Sequence, residues 1–142
     1  MLTEKEEILL KHLRLDSRKS LAKISKETNI PVSTLFDLLK RLENKVINKH
    51  TSLMDFSKIG YGLKMIFAIT TKDKNTMKEF LIKNPSVNTV SSSINNCDFH
   101  VECIFKDMKE MSVFKESLEE LELTNLEETF IVDELKKEGI NI

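Results

Sequence analysis

The chain of 142 residues is poor in the residue types that crosslink proteins or break regular structure. It holds two Cys, three Gly and two Pro. Two cysteines are too few for a disulfide framework, and the scarcity of Gly and Pro argues against disorder. Its longest apolar runs, such as residues 65–69, fall far below the roughly 20 residues of a membrane-spanning helix. Since no signal-peptide pattern opens the chain, we expect a cytoplasmic protein without a membrane segment.

The net charge of -1 is the average of two unequal parts. Gly60 and Gly62 mark a natural joint. Residues 1–62 hold 12 Lys and Arg against 8 Asp and Glu, a net +4, whereas the remainder holds 10 against 15, a net -5. A basic part beside an acidic part favours a first domain that approaches a polyanion. Ordinary scatter of surface charge is the alternative, and charge by itself does not choose between them.

The basic part shows the periodicity of three helices followed by a strand. Thr3 and Glu6 form a capping box at the start of the first helix, and Ser20 is an N-cap for the second. Apolar residues recur at helical spacing in the first helix and the third. These stripes are Ile8, Leu9, Leu10 and Leu13, then Leu35, Leu38, Leu39 and Leu42. We therefore predict that one face of each helix is buried.

The spacing between the second and third helices is typical of a helix-turn-helix. That motif needs a small residue, then one that tolerates left-handed backbone four places later, then apolar residues in the second helix. Ser25, Asn29, Ile30, Leu35 and Leu38 meet these needs in order. Asn29 replaces the usual glycine, which asparagine's ease with positive φ allows. A generic helical bundle would show similar stripes and stays open as an alternative.

Short motifs follow one another in a fixed order along the first sixty residues. They are Leu2-Thr3-Glu4, Ile8-Leu9, Asp16-Ser17-Arg18-Lys19-Ser20, Ser33-Thr34-Leu35, Lys40-Arg41-Leu42-Glu43, Val46-Ile47 and the segment from Thr51 to Tyr61. In this order they resemble the leucine-responsive and asparagine-operon regulator family, Lrp/AsnC, and the resemblance covers nearly the whole chain. It implies a sequence-specific DNA-binding transcription regulator. Residues 33–44 would be its recognition helix, lying in the major groove of double-stranded DNA.

The resemblance also implies a DNA-binding surface on this helix and the turn after it. Its members are Ser33, Thr34, Phe36, Asp37, Lys40, Arg41, Lys45 and Lys49. We expect Ser33, Thr34 and Asp37 nearest the bases and the four basic residues on phosphates. Three departures from the family stand out. Pro31-Val32 lacks the usual Ser-Pro cap, Asp37 and Leu38 stand where arginine is common, and the glycine before Val46 is missing.

The acidic part predicts a βαββαβ order. Alternating or strand-like stretches cover residues 62–71, 87–94, 97–105 and 127–135, and helical patterns cover 75–84 and 108–121. Asn95-Asn96 predicts a two-residue hairpin turn. We therefore predict an α+β protein with a winged helix-turn-helix domain over 1–50 and a linker strand over 51–61. A ferredoxin-like domain, of the family's RAM type, would cover 62–142.

One face of the predicted sheet has no helix to cover it. Ile66, Ala68, Ile104 and Ile131 give that face apolar positions, so we expect a second copy to cover it. The family resemblance implies a homodimer that can assemble further, up to an octamer. It also implies an amino-acid effector near the central hairpin, at Asn95, Asn96 and Asp98. Of these, Asn95 departs from the family's glycine, and Asp98 matches its aspartate.

The sequence lacks the patterns of common catalytic and metal sites. Cys97 and Cys103 lie six residues apart on one strand, about 20 Å, too far to bond to each other, and we expect buried thiols. His12, His50 and His100 have no partner at metal-ligand spacing. No phosphate-binding glycine loop, nucleophile elbow or paired catalytic carboxylate motif is present. We therefore expect no cofactor, no metal and no catalytic residue.

Three hypotheses of function follow. The first is a transcription regulator that responds to an amino acid or a related small molecule. The second is a metabolite-binding or assembly protein of the same fold with weak or lost DNA binding, which Asp37 and the missing glycine favour. The third is an enzyme, because some proteins resembling this family are haem-pathway decarboxylases. The chain lacks a basic, histidine-rich pocket signature, so the enzyme is the least favoured of the three.

Overall fold

The computed structural model describes all 142 residues, which form five α-helices and a four-stranded sheet. The elements are α1 (Glu4–Leu15), α2 (Leu21–Thr28), α3 (Val32–Lys45), a 3₁₀ helix (Phe56–Ile59), β1 (Leu63–Thr71), α4 (Lys74–Lys83), β2 (Val87–Ser92), β3 (Phe99–Phe105), α5 (Met108–Glu119) and β4 (Leu123–Ile131). The chain divides into two compact units. Unit 1 comprises Met1–Leu53 and Lys136–Ile142, and unit 2 comprises Met54–Leu135. None of the helices has the length and apolar character to span a bilayer.

Local capping fixes where the first two helices begin. The backbone N–H of Glu6 donates to Thr3 Oγ1 (3.3 Å), and the Glu6 carboxylate accepts from the backbone N–H of Thr3 (2.8 Å). Both halves of the predicted capping box are thus present. Ser20 Oγ accepts from the backbone N–H of Lys23 (3.1 Å), as predicted for the N-cap of α2. These bonds satisfy amides that the helical ladder leaves without partners.

The turn between α2 and α3 has the backbone that the helix-turn-helix spacing predicts. Asn29 is left-handed, with φ 59°, and its N–H donates to the carbonyl of Ser25 (2.9 Å). The side chain of Ile30 is buried immediately afterwards. The prediction for Asn29 is therefore confirmed. The core of unit 1 joins all three helices through Leu9, Leu10, Ile24, Ile30, Leu35, Leu38 and Leu42.

The end of α3 differs from the sequence prediction. The backbone N–H groups of Val46 and Ile47 both donate to the carbonyl of Leu42, each at 2.8 Å. These two amides therefore close the helix and are not offered to a neighbouring strand. Residues 51–61, where the sequence predicts a linker strand, form no strand in the single chain. A 3₁₀ helix, capped by the Asp55 side chain, occupies part of the predicted linker strand.

The C-terminal tail lies with unit 1. Arg14 of α1 donates through Nη2 to the backbone carbonyls of Glu138 (2.8 Å) and Ile140 (3.3 Å). Its Nη1 lies 3.3 Å from the Glu138 carboxylate. The sequence analysis placed residues 136–142 in the second domain. Hydrophobic periodicity gives no information about a polar tail, so it could not predict the hydrogen bonds between this tail and the Arg14 guanidinium.

The sheet of unit 2 has the antiparallel order β2-β3-β1-β4. Alternate residues of β1 and β3 form the core with α4 and α5, as the predicted alternation requires. Phe67 lies at the centre, fully buried, with its ring 5.5 Å from that of Phe114 and 6.4 Å from that of Phe105. Both α4 and α5 pack on this core side, and the alternate residues of the opposite face include Ile66, Ala68, Ile104 and Ile131. Of these four, Ile104 is already buried in the single chain.

Two strand predictions need correction. The prediction of a two-residue turn at Asn95-Asn96 was wrong. The backbone N–H of Ser93 donates to the carbonyl of Asp98 (2.8 Å), so the connection between this pair is the four residues 94–97. The backbone N–H of Asp98 donates instead to Ile69 of β1 (2.8 Å), which holds the end of β3 against β1. β4 covers Leu123–Ile131 and not residues 127–135. It ends where β1 begins, since Lys64 is the partner of Ile131.

Substitution at Asn29 tests the left-handed turn. We expect Asn29→Ala to lower the free energy of unfolding by about 1 kcal/mol. Alanine has a Cβ, which is disfavoured at positive φ, but lacks the polar side chain through which asparagine can hydrogen-bond locally. Asn29→Gly should match or slightly exceed the native stability. Urea unfolding followed by circular dichroism measures both. Equal stability of the Ala and Gly variants would contradict the requirement for left-handed backbone.

Candidate functional site

The outward face of α3 is set by the burial of its opposite face. Leu35, Leu38 and Leu42 are buried in the core of unit 1. Residues at i, i+3, i+4 and i+7 share a helix face, so the surface side carries a different set. That set is Ser33, Phe36, Asp37, Lys40 and Asn44, all of them exposed. Four of the eight residues predicted to bind DNA therefore lie together on one accessible face.

Arg41 and Lys45 lie on the flank of α3 that is near Glu6 of α1, and Thr34 is half-buried in the first turn of α3. Hydrogen bonds from Thr3 hold the pKa of Glu6 below its usual 4.5, and the charges of Arg41 and Lys45 act in the same direction. Those two cations are thus close enough to interact electrostatically with the Glu6 carboxylate, while both residues stay exposed. Glu6 offsets part of the positive charge on this flank.

The start of α3 has no side-chain cap. Pro31 occupies the N-cap position and makes no side-chain hydrogen bond. The amides of a helix's first turn have no partners within the helix, so here they are open to solvent or to another molecule. This matches the departure that the sequence shows at Pro31-Val32.

Lys49 lies apart from the face of α3, in the segment that follows the helix. It lines an open groove of about 610 Å³ with Arg14 and Arg18, among other residues of unit 1. Unit 1 as a whole carries 13 Lys and Arg against 8 Asp and Glu, a net +5, whereas unit 2 carries 9 against 15, a net -6. The charge separation seen in the sequence is therefore sharper between the compact units than between the sequence halves.

The hairpin site of unit 2 is organised around Asp98. Its Oδ2 accepts from the backbone N–H of Thr71 (3.0 Å), and its Oδ1 lies 3.3 Å from the Lys74 ammonium. The Thr71 bond is the main reason that the pKa of Asp98 falls below its usual 3.8, and Lys74 adds to the effect. The Asp98 side chain is only 17% exposed. Both carboxylate oxygens are thus used within the chain.

Asn95 and Asn96 stand at the exposed tip of the same hairpin. Asn95 has φ 78°, so its backbone is left-handed. The family's glycine and this asparagine meet the same backbone requirement, because asparagine is among the side chains that tolerate this region. The departure at Asn95 therefore keeps the loop conformation while adding an amide side chain.

Sequence reasoning missed Thr71 and Lys74 as partners of Asp98. They lie 27 and 24 residues away along the chain and reach Asp98 only through the pairing of β1 with β3, in which Ile69 is opposite Phe99. Thr71 could have been predicted to lie beside Asp98 only if the register between β1 and β3 had been predicted correctly. The helical start of α4 at Lys74 then follows directly after β1.

The fold and the exposed basic helix define a class of protein, the helix-turn-helix transcription regulators. No model of a known protein family matches the chain. An HTH-type transcriptional regulator of Pyrococcus abyssi, itself described as uncharacterised, is 30% identical over 148 residues, covering 100% of this chain and 99% of the relative. The chain belongs to the Lrp/AsnC family of HTH-type transcription regulators. This Pyrococcus relative is named as a regulator of transcription, a role that is not enzymatic.

Solved structures share the whole fold. The AsnC structure from Escherichia coli covers 100% of this chain and 99% of its own, with a TM-score of 0.87 at 11% identity. A transcriptional regulator of Neisseria meningitidis, solved as a complex with L-Met, covers 96% of this chain and 94% of its own, with a TM-score of 0.85 at 20% identity. At these identities the likeness establishes the winged helix-turn-helix and ferredoxin-like architecture.

The ion pair and hydrogen bond of Asp98 predict an acid-dependent stability. A carboxyl whose folded pKa is depressed stabilises the fold above its ordinary pKa, and the contribution is lost as pH falls through the lower folded value. We therefore expect Asp98→Asn to have a lower Tm than the native protein at pH 7. The difference should shrink as pH falls below about 3.8.

The matched control is Asp133→Asn, an exposed carboxylate beyond the end of β4. Thermal unfolding from pH 7 down to pH 2.5 gives the comparison. A Tm difference for Asp98→Asn that stays constant over this range would contradict the assignment of a charge-dependent anchor.

Proposed function

We propose that this transcription regulator binds double-stranded DNA sequence-specifically, with α3 lying in the major groove. The observation that carries the proposal is the exposed outward face of α3, which three buried leucines hold in a fixed direction. A helix of this kind fits the major groove and reads bases with its N-terminal residues. The net charge of +5 on unit 1 supplies attraction to the phosphates.

The exposed side chains divide by chemistry into two groups. Lys40, Arg41, Lys45 and Lys49 would contact phosphates, which position the protein without reading sequence. Ser33, Thr34 and Asp37 would lie nearest the base edges, because they stand in the first two turns of α3. Asp37 can accept from the amino group of cytosine, which is the base edge that suits a carboxylate.

A second copy of the chain would cover the open face of the sheet in unit 2. Ile66, Ala68 and Ile131 on this face are half-buried, and Ile104 is almost fully buried. Pairing of two such faces removes their apolar surface from water and gives a homodimer with one recognition helix per subunit. Dimeric helix-turn-helix proteins bind half-sites about one helical turn apart. The further assembly into an octamer that the resemblance implies is part of this proposal.

The proposed effector is an amino acid bound at the hairpin of residues 93–98. The regulator from Neisseria meningitidis, which shares the fold, was solved with L-Met. In this chain the side-chain amides of Asn95 and Asn96 are exposed and available to a ligand. Asp98 would act by holding the loop, since its carboxylate is bound to Thr71 and Lys74.

A second candidate function is metabolite binding or assembly without specific DNA recognition. Asp37 favours it, because a carboxylate on the outward face of α3 repels phosphates. A measurement of DNA affinity as a function of salt concentration distinguishes the two candidate functions.

Salt titration on selected DNA fragments tests the main proposal. The logarithm of affinity should fall linearly with the logarithm of salt concentration, with a slope of about -0.9 for each phosphate contacted. Lys40→Ala should weaken all sequences similarly and make the slope shallower by about 0.9. Thr34→Ala should change the preferred sequence with little effect on the slope. Fluorescence anisotropy at four or more salt concentrations measures each quantity.

Lys78→Ala is the matched control, since Lys78 is an exposed lysine on a helix of unit 2. It should leave both affinity and slope unchanged. Absence of binding at low salt, or binding that salt does not weaken, would favour the second candidate.

Thermal shift with the twenty amino acids tests the effector proposal. A ligand that binds only the folded state stabilises it by RT ln(1 + [L]/Kd) and so raises Tm. We expect at least one amino acid, at 100 times its Kd, to stabilise the native protein by about 2.7 kcal/mol and to raise its Tm by roughly 5 to 11 °C. The same amino acid should have little effect on Asn96→Ala. An equal shift in native protein and Asn96→Ala would place the ligand elsewhere.

A further inference from the structure

Phe36 is an exposed aromatic side chain on the outward face of α3. It is 49% exposed and lies in the second turn of the helix, between the polar residues Ser33 and Lys40. Its neighbours on this face, Asp37 and Asn44, are also polar. Val32, four residues earlier, is also apolar and 45% exposed, so Phe36 is the aromatic group of the surface that the proposed function directs into the major groove.

Lys40 restricts the motion of this ring. Its ammonium lies over the Phe36 ring, 4.5 Å from the centroid, an arrangement that the i, i+4 spacing on a helix allows. The main chain of Lys40 is held in turn, because Asn44 Nδ2 donates to the Lys40 carbonyl (3.0 Å). One face of the ring is thus occupied while the remainder stays accessible. An ordered side chain loses less conformational freedom when it binds a second molecule.

We propose that Phe36 reads a thymine in the operator through the C5-methyl group of that base. This inference rests on the proposed function and adds the identity of one base and the residue that recognises it. A phenylalanine ring has no hydrogen-bonding group, so it cannot read the donor and acceptor pattern of base edges. The thymine methyl is the apolar feature that unmodified bases present in the major groove, and phenylalanine is among the side chains that contact it.

The charge of unit 1 supports contact with a base and not with a second protein. Its net charge of +5 attracts a polyanion although Asp37 beside Phe36 is negative, and Lys40 and Arg41 are the cations that follow the ring along α3. A phosphate bound by either cation would bring the duplex against the helix. The apolar ring would then be covered by the groove and would lie against its methyl partner.

Replacement of thymine by deoxyuridine isolates the methyl group, since the two bases differ by that group alone. An operator is first selected from randomised DNA with the native protein, and each thymine is then replaced singly by deoxyuridine. We expect one position in the half-site where this replacement weakens binding of the native protein about fourfold, the value of one buried methyl group. Phe36→Ala should bind the thymine and deoxyuridine operators equally at that position.

Two further variants complete the design. Phe36→Leu keeps an apolar side chain and should retain a preference for thymine over deoxyuridine. Phe130→Ala is the matched control, because Phe130 is also 49% exposed but lies on β4 of unit 2. It should keep the full fourfold preference. Circular dichroism of all three variants confirms that each is folded.

The outcomes separate this inference from the proposed function. Loss of the methyl preference in Phe36→Ala, with its retention in Phe130→Ala, supports the inference. A native protein that binds its operator specifically but discriminates no thymine from deoxyuridine overturns the inference and leaves the proposed function intact. The same holds if Phe36→Ala keeps the discrimination. A native protein without any preferred sequence overturns the proposed function and this inference with it.

Discussion

The burial of Leu35, Leu38 and Leu42 decides which side chains of α3 can meet another molecule. These leucines lie against α1 and α2, so the helix cannot rotate about its axis without exposing them. Removing a buried leucine from such a core costs about 2 to 5 kcal/mol. The direction of Ser33, Phe36, Asp37 and Lys40 is therefore a consequence of core packing and not of any bond that they make themselves. The outward face of α3 is therefore held in place by the core behind it.

How much of the structure the sequence predicts depends on how far apart the interacting residues are along the chain. The capping box of Thr3 and Glu6 and the left-handed Asn29 are set by partners within four residues, and both were predicted. The hairpin connection and the tail were not. Asp98 is held by Ile69 and Thr71 of β1, and Glu138 is held by Arg14, across 124 residues. Such bonds depend on tertiary packing, which periodicity does not encode.

Prediction of the candidate site also depended on the distance between interacting residues along the chain. The face of α3 could be read from helical spacing alone, and the structure exposes Ser33, Phe36, Asp37 and Lys40 on it. Phe36 and Lys40 are also close in the chain, at i and i+4. The structure adds the position of the Lys40 ammonium over the Phe36 ring. At the hairpin, the sequence named Asp98 as a ligand group. The structure shows that its carboxylate is bound to Thr71 and Lys74, partners that compensate the desolvation of an acidic group at 17% exposure.

Asp37 gives the surface of α3 a constraint that the lysines lack. A cation attracts every phosphate, so added positive charge raises the affinity for all DNA, whatever its sequence. A carboxylate repels the backbone everywhere and is compensated only where it accepts a hydrogen bond from a base, as from the amino group of cytosine. Specificity is a difference between two affinities and rises when the wrong partner is penalised. Placed between Phe36 and Lys40, Asp37 would weaken binding to unrelated sequences more than binding to its own site. On this argument an acidic residue on a basic recognition helix is consistent with DNA binding, and its effect would be selectivity at the expense of affinity.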